Sequence, residues 1–264
     1  MTEATMTGGW PQRLTWLALA LSAGGAVSAL AGAIGSGADL WPYAAGFTIL
    51  RYAFFAAIAG GAVAIVALAL SWKAHGRLVR WNLGALAIAA GFALYLLPQI
   101  ATAKRLPGIH DITTDLARPP QFATLAVRTD NLENVPDEGR AELTAMTPED
   151  RWTALHREAY GDIRPLRARI GASSAFKRAE ALVEKRGWKI AQADPAEGTI
   201  EATATTLFFR FKDDVVIRVT RDPARPAGSI IDMRSISRVG GSDVGVNAAR
   251  IRAFLADLED SLAQ

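Results

Sequence analysis

Three long apolar runs open the chain, and everything after them alternates on shorter periods. The runs extend from about Leu14 to Gly35, Tyr52 to Trp72 and Trp81 to Ile100. Each is long enough to cross about 30 Å of hydrocarbon, which takes roughly 20 helical residues. No charged residue or histidine lies inside any of them, so all three predict transmembrane helices without the ionisable groups that ion and proton pathways use. Trp10, Trp16, Trp41, Tyr43, Trp72, Trp81 and Tyr95 fall near the ends, as an interfacial belt requires. The first run is too long for a signal-peptide core and two more follow it, so it reads as a retained helix. Gly24, Ser28 and Gly32 recur every four residues, as do Ala56, Gly60 and Ala64, and such stripes predict close packing, within a three-helix bundle first and across a dimer interface as the alternative.

Charge flanking the runs sets an expected orientation. The connection from Lys73 through Arg77 and Arg80 is short and basic, whereas the first connection holds Asp39 and only Arg51. Placing the basic connection and Arg13 in the cytoplasm sends the C-terminal part to the opposite side, with Lys104 and Arg105 opposing that arrangement. The expected location is a bacterial inner membrane, with the N-terminus cytoplasmic and the C-terminal domain periplasmic.

Past residue 100 the pattern breaks. Pro107, Pro119 and Pro120 exclude a continuous helix and favour extended backbone. Asp111, Thr113, Thr114 and Asp115 are turn formers, so residues 101–122 read as an extended arm leading off the membrane. Residues 123–146 lack a period. Thr147-Pro148-Glu149-Asp150 then carries the signature of a helix start, with Tyr160 and Gly161 as its end. A second helix is expected after Ser173 or Ser174, closing at Gly187. The period next becomes two: Trp188 and Ile190; Ile200, Ala202 and Ala204, prolonged by Phe209 and Phe211; Val215, Ile217 and Val219; then Ile231 and Met233. A turn is expected at Lys212-Asp213-Asp214. Val244, Ala248, Ile251, Leu255, Leu258 and Leu262 form the apolar stripe of a final helix. Residues 123–264 thus predict one soluble α+β domain, a two-layer antiparallel sheet of about four strands with helices on one face.

Charge counting removes one class of partner. Of 29 basic and 26 acidic side chains, five and two lie in the first 100 residues, leaving 24 of each in the remainder. The domain has no basic excess to neutralise phosphates, so nucleic acid is not expected. The chain has no cysteine, which excludes disulfides, thiolate metal sites and cysteine nucleophiles. His75, His110 and His156 are too far apart for ligand spacing, and neither a metal nor a cofactor is expected.

Between the last strand and the last helix stands Arg234-Ser-Ile-Ser-Arg238-Val-Gly-Gly-Ser242-Asp243-Val-Gly-Val-Asn247-Ala-Ala-Arg250-Ile251. A glycine-rich turn feeding a helix N-terminus exposes backbone amides to anions, and Arg234, Arg238 and Arg250 could add guanidinium forks. Asp243 at the same terminus opposes that reading. Ser242 or Asp243 would cap the helix, while Asn247 and Arg250 stitch it to the sheet. Ser235 and Ser237 have no partnered base, which leaves covalent catalysis unsupported. The string resembles the signature of a bacterial and plastid family known as domain of unknown function 1499. Asp213-Asp214-Val-Val-Ile-Arg218, Asp111-Ile-Thr-Thr-Asp115 and Pro119-Pro120 are similar as well. The resemblance covers roughly Pro107 to Leu258 and implies no activity.

The expected ligand-binding set is therefore Arg234, Ser235, Ser237, Arg238, Ser242, Asp243, Asn247 and Arg250, with Asp213, Asp214 and Arg218 second. Three readings follow: an envelope binding or assembly module anchored in the lipid bilayer, taking a protein or an anionic small molecule; an envelope hydrolase or transferase using Asp213, Asp214 or Asp243; or a purely structural domain. Convergence of the carboxylates in a cleft favours the second, and internal pairing of the three arginines the third.

Overall fold

The computed structural model describes residues 9–72 and 76–263, so Lys73 and His75, on which part of the expected basic connection rests, lie outside the described residues. The chain forms two compact units: residues 1–101 together with Leu207–Arg210, and residues 102–206 with 211–264.

In the first unit three helices are long and apolar enough to cross a membrane: α1 (Trp10–Gly37), α2 (Tyr43–Ser71) and α3 (Gly76–Ala103). Each is longer than its apolar run. Arg51, expected in a connection, lies inside α2, where its guanidinium reaches the Tyr52 hydroxyl at 3.4 Å. Helices α1 and α2 pack tightly through small residues, and of the expected α1 stripe Gly32 lies buried against Ile49 and Gly46 of α2, while the other two positions do not. Gly24 and Ser28 are exposed, whereas Gly25 lies so close to α2 that a Cβ there would stand 2.6 Å from the Ala53 carbonyl. Gly60 meets Ser22 in the same way. Helix α3 is attached more thinly: Asn82 donates to the Thr15 hydroxyl at 3.0 Å and Ala85 packs with Ala18 and Ala64.

The second unit is an antiparallel sheet with helices, as the alternation predicts, with two short strands added. Strands β1 (Asp111–Thr113) and β2 (Leu166–Ala168) both pair with β6 (Ser229–Ser237). Beyond β6 come β5 (Lys212–Arg221), β4 (Thr199–Thr205) and β3 (Lys189–Asp194). Each added strand has only three residues, too few for a period to show. Helices α6 (Ala172–Lys185) and α7 (Val246–Ala263) cover one face, over Ile200, Val215, Ile217, Ile231 and Met233. Between β1 and β2 lie a single turn, α4 (Ala141–Thr144), and α5 (Pro148–Tyr160), where Thr147 accepts the Asp150 N–H at 3.2 Å as the capping signature predicts.

Three local expectations change. Gly171, not Ser173 or Ser174, precedes α6. Val244 lies outside α7, and Phe254, fully buried, takes a core position on that helix. Finally, β4 stops at Thr205. Thr206 and Phe211 close the loop by exchanging hydrogen bonds, the Thr206 N–H to the Phe211 carbonyl and the Phe211 N–H to the Thr206 hydroxyl. Asp213 and Asp214 are therefore paired residues of β5, 2% and 5% exposed, and not the expected turn.

Candidate functional site

Strand alternation divides the Arg234–Arg250 motif between two sides of the sheet. On the helix-covered side, Asp213, Ser235 and Ser237 come together at one end of β5 and β6, because Asp213 pairs with Ser237 and Val215 with Ser235. Helix α7 supplies their partners. Arg250 donates to the Asp213 carboxylate at 2.5 Å and to the Ser235 hydroxyl at 3.0 Å. Asn247 accepts from Ser235 at 2.7 Å and from Arg250, and its amide donates to Ser237 and to the His110 carbonyl, each at 2.9 Å. Both the Asp213 and Arg250 side chains are less than a tenth exposed.

Asp243 fastens the start of α7. Its carboxylate accepts the Gly245 N–H at 3.0 Å and the Asn247 N–H at 2.6 Å, and its own N–H donates to the Ile109 carbonyl at 3.3 Å. Burial pushes this carboxyl up, against the two backbone donors that favour its charged form. The Ser242 hydroxyl accepts the Val244 N–H. Carboxylate and hydroxyl thus occupy the backbone donors that an anion would have used.

On the opposite side, Arg234 grips Asp111 with two bonds of 2.9 and 2.7 Å and donates to the Pro120 carbonyl. Asn131 gives the same Asp111 a further donor at 2.6 Å. Arg238 grips Asp214 with two bonds of 2.8 Å and reaches the Thr203 hydroxyl. That pairing holds the Arg238 guanidinium above its ordinary value. Arg218 bridges Asp232 at 2.9 Å and Asp115 at 3.3 Å. In the same layer Glu201, 2% exposed, accepts backbone N–H groups from Ala123, Thr124 and Leu125. The proline-containing segment after β1 is thereby fastened across the sheet.

The sequence sets Arg234, Arg238 and Arg250 in one stretch with Asp213 and Asp214 as a second set, but does not say which arginine meets which carboxylate. Turn chemistry points Asp111 to its own backbone, and nothing in the strand alternation marks Glu201 or Asp232 as a partner. Period two carried part of the signal: Asp232, Arg234 and Arg238 share one parity, and Ser235 and Ser237 the other. The expected site is thus two back-to-back clusters in which every arginine meets a carboxylate. No group of three or more metal-ligating side chains exists among the described residues.

What remains accessible is the loop above the junction. Val239, Val244 and Val246 are 40%, 38% and 42% exposed, and Val244 has φ of 53°. That left-handed conformation is strained for a β-branched residue. Asp243 and Asn247 hold the chain on either side of it.

Fold and site together define a protein with three helices able to span a membrane and an α+β domain built around buried arginine–carboxylate pairs. The model of a family described as "Protein of unknown function (DUF1499)" matches residues 111–258, more than half of the chain. The chain belongs to that family. No curated protein matches it.

Proposed function

We infer that this chain is a membrane-anchored binding or assembly module of the bacterial envelope, with its loop Val239–Val246 as the surface that meets a protein partner. The observation that carries the reading is Val244. A β-branched residue held at positive φ and left exposed costs stability, and such strain is a feature of functional surfaces that the surrounding structure enforces. The buried pairs beneath supply that enforcement. A protein partner suits an exposed valine loop better than an anionic small molecule does, since Arg234, Arg238 and Arg250 already engage carboxylates. The hydrolase or transferase reading is less well supported, because Asp213 and Asp214 lie on opposite sides of the sheet and each faces an arginine.

The basic residues Arg13, Arg77 and Arg80 support an inner-membrane location with a periplasmic domain, and Lys104 and Arg105 oppose that orientation. A photo-crosslinking residue introduced in living cells at position 239, 244 or 246 tests the contact surface. The reading expects one adduct of defined mass from the loop positions and none from Lys177 or Glu259, exposed on α6 and α7. Identical adducts from all five positions, or none from the loop, would overturn it.

A further inference from the structure

The strongest unexplained feature of the molecule lies in its first unit and is independent of the Arg234–Arg250 junction. Helix α3 meets α1 at Asn82–Thr15 and at Ala85–Ala18, and meets α2 where the Phe92 and Phe54 rings approach to 6.1 Å. Beyond those contacts a groove of about 460 Å³ opens between the helices. Small residues of α1, Ala26, Ala29 and Ala33, form one wall; Phe92 and Leu96 of α3 form another. Phe208 and Phe209 close one end.

That end is built deliberately. Phe209 stacks on Phe47 with ring centroids 4.7 Å apart. Two glycines make room for the loop. A Cβ at Gly37 would stand 2.6 Å from the Phe208 carbonyl, and one at Gly46 would stand 2.9 Å from the Phe209 ring. Tyr95 and Gln99 also line the groove, close to the end of α3 at Ala103. The groove is therefore carbon-walled along its length and polar near one helix terminus.

We propose that this groove is a lipid site, which takes one acyl chain of a phospholipid against α1 and α3 and its ester region near Tyr95 and Gln99. The volume lies in the range of small-ligand sites. A groove on helices that cross hydrocarbon cannot be filled by water without loss, since its walls offer few hydrogen bonds. The molecules that meet such walls in a bilayer are acyl chains, and the polar end fits the one part of a phospholipid that accepts hydrogen bonds at that depth.

The test uses the full-length chain reconstituted in nanodiscs of phosphatidylethanolamine and phosphatidylglycerol, then extracted into mild detergent and weighed by native mass spectrometry. One phospholipid is expected to remain on each chain. Ala26→Trp, which fills the groove, should lower retention at least fivefold, while Val27→Trp, on the exposed surface beside it, should leave retention unchanged. Leu96→Trp, filling the groove from α3, replaces Ala26→Trp if the latter fails to fold by circular dichroism. A lipid-free chain, or equal retention in the filled and unfilled forms, would overturn the proposal. So would a dimer that Ala26→Trp converts to monomer, since the groove would then belong to a second copy of the chain.

Discussion

Arg250 and Arg238 sit twelve residues apart in one motif and carry different weights. The Arg250 side chain is 9% exposed and faces an Asp213 that is 3% exposed. Removing one member of such a pair leaves an uncompensated buried charge, so Arg250→Ala should cost about 3–5 kcal/mol in urea unfolding. Arg238, with a side chain 41% exposed, keeps contact with water, but its loss leaves the buried Asp214 with only the Thr203 hydroxyl among the described residues, so Arg238→Ala should cost less, about 1–3 kcal/mol. Equal losses for the two would contradict the burial difference. His156 is a second buried polar residue, whose ring accepts the Thr113 N–H at 3.1 Å between Trp152 and Tyr160. Burial lowers it to about 4 from an ordinary 6.5, with Asp111 opposing the shift and Arg157 adding to it. The unfolded chain therefore takes up the proton first. Stability from this group is complete above pH 6.5 and is lost as pH falls towards 4, a loss of roughly 3 kcal/mol. The raised carboxyl of Asp243 works in the opposite sense, adding stability as pH falls. His156→Gln keeps an acceptor and removes the titration, so the difference between the two urea midpoints should shrink between pH 7 and pH 4. None of this burial was legible in the sequence, where His156 was simply a histidine far from the other two.

At the scale of elements, long periodic segments were legible and short or locally closed ones were not. Three apolar runs, the α5 cap and the α7 stripe each repeat a signal several times. Strands β1 and β2 have three residues each, and only pairing with β6 makes them strands. The β4–β5 loop misled for a related reason: Phe209 and Phe211 keep the alternation, but Thr206 ends the ladder by bonding to Phe211. The segment after β1 depends on Glu201 in the same tertiary way. Its carboxylate accepts three consecutive backbone N–H groups, and hydrogen bonds to a charged partner are worth about 1.5–3 kcal/mol where neutral ones give about 1. Glu201→Gln should accordingly loosen residues 119–128 and speed their cleavage in limited proteolysis, with little change at α6. Unchanged cleavage would mean that the prolines alone hold the segment.

The whole molecule combines three helices apolar enough to span a membrane with a charge-balanced domain. Family and architecture were both readable from the chain, because a long motif and three apolar runs are each highly redundant signals. The role of the motif was not, since strand parity sends its residues to two sides of the sheet and their partners come from Asp111, Asp213, Asp214 and Asp232. The arginine–carboxylate pairs tie the strands and α7 together, and the valine loop beside them is the contact surface proposed above. If the domain lies outside the cytoplasm, a C-terminal alkaline phosphatase fusion should be active and a C-terminal green fluorescent protein fusion dark; the reverse pattern would invert the topology. Val244 tests the central claim most directly, because stability and function should there move in opposite directions. Val244→Gly relieves the left-handed strain and should raise stability by about 0.5–1 kcal/mol after glycine's own entropy cost. The same substitution, measured as crosslinked adduct from position 239 in cells, should reduce partner capture severalfold. A chain that gains stability and captures its partner undiminished would show that the strained valine is not the contact.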